Sequence, residues 1–253
     1  MHTSVVSFVV FALVWTGALF GMWLRRALPL DHLSPDAKDT IRLAIGLLVT
    51  MTSLVLGMLV SSAKTYYDGQ KNVVAQMASD IIQLDTLLGT FGPESKALRV
   101  ELRHDLEGAI DRIWPKEDSQ LSELRPTGSS QDVNAKVEML VTNNAFEASA
   151  KTQIVTSIQG LRKTYWLLFL TSEQTTVSLL LLAVVTSWLV TIFISFGIFA
   201  PSNPTVMITL LICALAVSAA IFIIVEMYSP FNGIMRISPV AVRDALRQMT
   251  AAQ

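Results

Sequence analysis

Gly46, Thr50, Ser53, Gly57 and Ser61 recur at intervals of four, three, four and four residues inside an apolar run, which puts all five on one face of a helix. Two chemistries fit such a stripe. Small residues let helix backbones approach closely in lipid, where no hydrophobic force joins one helix to another. Alternatively, hydroxyls and uncovered backbone supply weak, exchangeable ligands to a partly dehydrated ion, as a pore lining does. Leu47, Leu48, Val55 and Leu59 lie largely off this face. Gly17 and Gly21 form a lone small-residue pair that fits helix packing. Ser187, Thr191 and Ser195 share another face, and such hydroxyls commonly bond back to their own helix. Glu226 stands at the end of the last apolar run, where it fits an interfacial salt bridge or a charge at a pore mouth.

Reactive groups do not converge elsewhere. His2, His32 and His104 are scattered without ligand spacing, and neither a serine-nucleophile motif nor a phosphate-cradling glycine loop occurs. Glu101, Asp105, Glu107 and Asp111 alternate with Arg99, Arg103 and Arg112, the pattern of a solvated, ion-paired helix face. The chain therefore reads as a non-enzyme that calls for no cofactor and no metal.

The elements that carry these residues are mostly membrane helices. Residues 5–24, 43–60, 177–199 and 206–225 are apolar, contain no charged side chain, and meet the roughly 20 residues needed to cross a bilayer. They come as two pairs around a charged middle segment. Of all residues 52% are hydrophobic and 15% charged, and the mean hydropathy is +0.51. A net charge of -1, with Lys and Arg interspersed among Asp and Glu, excludes the basic surface that nucleic acid requires. Cys213 is the single cysteine, so no intrachain disulfide forms. The first run has no basic segment before it and Arg25-Arg26 after it, which marks a retained helix rather than a cleaved signal.

Ser34-Pro35-Asp36 reads as a helix start, with Ser34 as N-cap and Pro35 at the first helical position. From there no strong breaker appears before Gly92-Pro93. Beyond the span, Val73, Met77, Ile81, Leu84, Leu88 and Phe91 continue at heptad spacing, a seam that could assemble subunits. A second amphipathic helix carries Leu98, Leu102, Leu106, Ile110 and Ile113 and stops at Trp114-Pro115. A loop over 116–131 follows, then a third helix from about Asp132 through Val137, Leu140 and Val155 to Tyr165-Trp166, an interfacial aromatic pair. The short connection over 200–205 forces a hairpin, and Ser238-Pro239 caps a closing helix that contains Val242, Ala245, Leu246 and Met249. The expected fold is all-α: four transmembrane helices in two pairs, with a helical extramembrane bundle between the second and third. Its expected parts are 1–63, a helical domain at 64–172, a hairpin at 173–227 and a C-terminal turn and helix at 228–253.

Basic residues Lys64, Lys71, Arg162, Lys163, Arg236, Arg243 and Arg247 fall on the side of the termini and the middle domain, against Arg25, Arg26, Lys38 and Arg42 on the other. The majority places the termini in the cytoplasm, although Arg25-Arg26 argues the opposite.

The segment from Gly46-Leu47-Leu48 through Val55-Leu56-Gly57 to Ala63-Lys64, the paired spans, and the ending Glu226-Met227-Tyr228-Ser229-Pro230-Phe231-Asn232-Gly233 with Ile237-Ser238 resemble the bacterial bestrophin-like domain family over almost the whole chain. The turn motif Pro230, Phe231 and Gly233 is the sharpest part of the likeness. The resemblance implies a distant kinship to bestrophins, oligomeric anion channels with cytoplasmic termini and a pore lined by the second membrane helix. In those proteins the Pro-Phe-Gly turn leads into an acidic calcium-binding cluster. Here Ile234, Met235 and Arg236 follow Gly233, and the second span contains no Phe, Tyr or Trp to build an aromatic constriction. Neither a calcium site nor anion selectivity carries over. The expectation is a homo-oligomeric ion channel of a bacterial inner membrane whose partners are the lipid bilayer, copies of itself and small inorganic ions. A non-conducting scaffold or sensor with a partner-binding helical domain is the alternative.

Overall fold

The computed structural model describes residues 3–27, 35–114, 136–142, 144–174, 179–201 and 203–251. Every regular element among them is helical. In chain order these are α1 (Thr3–Ala27), α2 (Pro35–Gly89), a 3-10 turn (Gly92–Ser95), α3 (Lys96–Ile113), α4 (Ala145–Gln174), α5 (Leu179–Phe199), α6 (Pro204–Met227) and α7 (Val240–Ala251). Four of them, α1, α2, α5 and α6, are long and apolar enough to cross a membrane. This is an integral membrane protein. Ser34, the 116–131 loop and the helix start near Asp132 lie outside the described residues.

The chain divides into two compact units. One comprises Met1–Tyr67 and Thr176–Met235, the other Asp68–Thr175 and Arg236–Gln253. The C-terminal segment is thus split, its turn belonging to the first unit and its helix to the second. Helix α2 contributes to both. Its 55 residues form one uninterrupted helix, about 80 Å long at 1.5 Å per residue and well over twice a bilayer core.

In the membrane unit, α1 packs against α5 and α6. The close approach of α1 to α5 requires glycine on both sides. A Cβ on Gly21 would overlap the Ile194 carbonyl and stand 3.1 Å from Gly197, while one on Gly197 would collide with Ala18 and lie 2.9 Å from the Met22 nitrogen. Gly17 meets Val190 in the same contact. Across the other interface, the buried Ser218 hydroxyl donates to the Ser7 carbonyl at 2.7 Å. The core is aliphatic, with Val14 and Ala18 of α1, Val185 of α5 and Ile221 of α6 almost fully excluded from solvent. Arg25 donates to the Ala200 carbonyl, satisfying an acceptor freed at the end of α5. Asn203 precedes α6 in extended geometry with Pro204 at the first helical position.

In the second unit, α2 buries Met77, Ile81, Leu84 and Leu88, each at most 1% exposed within one chain. This corrects the reading of the heptad seam as a subunit contact. Heptad spacing shows that a face is buried, and here that face is covered within its own chain. Gly92, at φ 58, reverses the chain after α2. Arg99 of α3 then reaches back to Asp85, with Nη2 2.6 Å from Oδ1 and Nε donating to the same oxygen at 2.8 Å. Leu98, Leu102, Leu106 and Ile110 form the buried stripe of α3 as spaced. Trp114 ends it, and its indole N–H donates to the Ile237 carbonyl at 2.8 Å. The third helix expected in this region is not continuous. A turn at 136–138 is separated from α4 by Asn144, whose Oδ1 accepts from the Glu147 amide at 2.8 Å while its Nδ2 donates to Glu147 Oε1 at 3.2 Å. That reciprocal cap starts a new helix. Lys151 Nζ donates to the carbonyls of Glu138 and Leu140, closing the preceding turn. On α7, Val242, Ala245, Leu246 and Met249 are all buried, as its periodicity requires, and α7 packs on α3.

Candidate functional site: one face of helix 2 and the turn after the last span

Helix α2 shows three faces in the membrane unit. Thr52, Leu59 and Ala63 are buried, with Leu48, Val49, Val55 and Leu56 packed beside them. Leu47, Leu54 and Met58 form an exposed bulky face, each more than 60% accessible. Between these faces lie Gly46, Thr50, Ser53, Gly57 and Ser61, all exposed. A Cβ added to Gly46 or Gly57 would meet nothing within 4 Å, in contrast to Gly17 and Gly21. No described residue of the other membrane helices comes within 4 Å of a Cβ placed on either glycine of this stripe.

Its polar groups are partly committed. Thr50 Oγ1 donates to the Leu47 carbonyl at 2.7 Å, which commits the hydroxyl proton and leaves the oxygen its capacity to accept. The hydroxyls of Ser187, Thr191 and Ser195 each donate to their own helix backbone at 2.7 to 2.9 Å, the structural use anticipated for them.

Glu226, expected as an interfacial salt-bridge partner or a charge at a pore mouth, is engaged by backbone amides and by no ion pair among the described residues. The residue is 2% exposed. Its Oε1 accepts from the backbone amides of Ile234 and of Met235, the latter at 3.2 Å. Gly233 has φ 94, and a Cβ there would overlap Oε1 and stand 2.8 Å from Cδ of Glu226. The turn is also closed by the main chain, where Ser229 donates to Glu226 and Asn232 to Ser229. Pro230 and Phe231 within it are buried. Beside this turn, Tyr228 Oη lies 3.1 Å from Ser62 Oγ of α2, and its ring is 5.4 Å from that of Tyr66. The link from Glu226 to residues 234 and 235 was not readable from spacing. It depends on a left-handed glycine, of which the Asn232-Gly233 pair was the only sequence sign.

Four apolar helices, one of them continuing far beyond any bilayer, and a carboxyl-closed turn after the last span define a polytopic helical membrane protein. Residues 12–242 match the model of the Bestrophin-like domain, and the chain belongs to the bestrophin-like family. Two crystal structures of variants of a bacterial bestrophin homologue from Klebsiella pneumoniae share the fold. The first superposes with a TM-score of 0.70 at 9% identity, covering 97% of this chain and 98% of that one. The second gives 0.69 at 9% identity over 96% and 97%. No curated relative matches the sequence.

Proposed function

We propose that this protein is the subunit of a homo-oligomeric ion channel of a bacterial inner membrane, with its pore lined by Gly46, Thr50, Ser53, Gly57 and Ser61 of α2. The observation that carries this reading is the exposure of that stripe. It is small, hydroxyl-bearing, free of charge, and exposed among the described residues. Repeated around an axis, such faces would bound a narrow path with weak oxygen ligands. A four-helix unit of this size has little room for an internal pore, so the path must lie between copies. The fold shared with bestrophin homologues supports the same arrangement. In this reading the two span pairs flank an extramembrane helical bundle, a non-enzymatic element on the cytoplasmic side with both termini.

Passive conduction fits better than coupled transport. The spans carry no Asp, Glu, Lys, Arg or His near their centres, whereas pumps and secondary transporters keep such groups or broken helices at the midplane. The test is to purify the protein, image it, and record from planar bilayers. A symmetric ring with α2 at its axis and an ohmic or gated ion current is expected. A monomer at all concentrations, or silence under every ionic condition, rejects the channel and leaves the scaffold.

A further inference from the structure

We propose that Glu226 is a positioning residue, a latch that holds the turn after the last span by its carboxyl oxygen and thereby sets the position of residues 62–66 within α2; the coupling to conduction rests on the reading of α2 as the pore helix. A buried carboxyl group is costly unless its oxygens are hydrogen-bonded, and those of Glu226 find no cation among the described ion pairs. Oε1 instead takes two successive backbone amides, Ile234 and Met235. The space it fills is the space a side chain on residue 233 would need. Glu226 and Gly233 therefore form a matched pair, in which the acceptor closes the turn and the glycine admits the acceptor. Two residues along from Glu226, Tyr228 contacts α2 through Ser62 and Tyr66. A turn that loses its closure frees the residue that touches α2. The feature used is acceptor geometry rather than charge, which separates this role from that of a mouth charge.

That distinction sets the experiment. Glu226→Gln keeps a carbonyl oxygen at the same place, Glu226→Met keeps the length without an acceptor, and Gly233→Ala puts a Cβ into the carboxyl. Arg236 is exposed just beyond the turn, so trypsin cleavage there, read as a fragment beginning at Ile237, reports how often the turn opens. In the full-length protein reconstituted in liposomes, Glu226→Gln should cleave within about twofold of wild type. Glu226→Met and Gly233→Ala should cleave faster by about tenfold, the consequence of losing two part-buried hydrogen bonds. The double variant should cleave no faster than the quicker single one, because both remove the same closure. In bilayer recordings, Glu226→Met should change open probability while leaving unitary current near wild type. Tyr228→Phe should keep wild-type cleavage and shift open probability in the same direction. Equal effects of Gln and Met in either assay, or unchanged cleavage in both Glu226→Met and Gly233→Ala, overturn the latch. A silent wild type removes the coupling to a pore, while the cleavage ranking decides the latch itself in either case.

Discussion

Gly21 and Gly57 both sit in membrane-spanning helices, yet one faces a carbonyl and the other open space. A methyl group on Gly21 must displace the α5 backbone at Ile194, which is not a flexible side chain and cannot turn aside. Gly21→Ala should therefore destabilise the membrane unit by about 1–3 kcal/mol, the usual range for overpacking, and a thermal melt in detergent would show it. Gly57→Leu should leave that melt unchanged and instead lower single-channel current by narrowing the path. A correctly assembled Gly57→Leu protein with full current would count against α2 as the lining. Thr50→Val should retain assembly and shift relative ion permeability, because it removes an accepting oxygen while preserving shape. Both glycine pairs stood out in the sequence by spacing alone. Which of them was a contact did not, since small residues at four-residue intervals are compatible with either surroundings.

At the scale of elements, hydrophobic period and breakers carried most of the information. The buried stripes of α3 and α7 and the starts of α2 at Pro35 and α6 at Pro204 follow from apolar spacing and proline. The heptad run on α2 shows the limit of that logic, because period reveals that a face is buried and is silent about what buries it. Ile81→Ala should accordingly cost about 2–5 kcal/mol of stability in the second unit, as for other buried large-to-small changes. Subunit number should stay the same wherever the variant folds, as size exclusion with light scattering would show. The break before α4 was legible in principle, for Asn144-Ala145-Phe146-Glu147 has the spacing of a capping box. The apolar positions on either side outweighed it in a reading by period. Asn144→Ala should lose about 1 kcal/mol, seen as faster amide exchange in the first turn of α4 with little change in α2.

For the whole molecule, the membrane unit and the second helical unit share a single helix, α2, which carries the proposed lining face. An assembly can enclose a pathway that no single chain contains, so the proposed lining face is marked in the sequence only by what it lacks. It is small, uncharged and, among the described residues, exposed. Thiol accessibility tests this most directly, because Cys213 is the only native cysteine and can be replaced by serine. In that background, Thr50→Cys and Gly57→Cys channels recorded in a planar bilayer should change current irreversibly on exposure to a charged, membrane-impermeant methanethiosulfonate. Thr52→Cys, at a position 2% exposed, should not respond. Unaltered current through both Thr50→Cys and Gly57→Cys would contradict a pore lined by this face of α2.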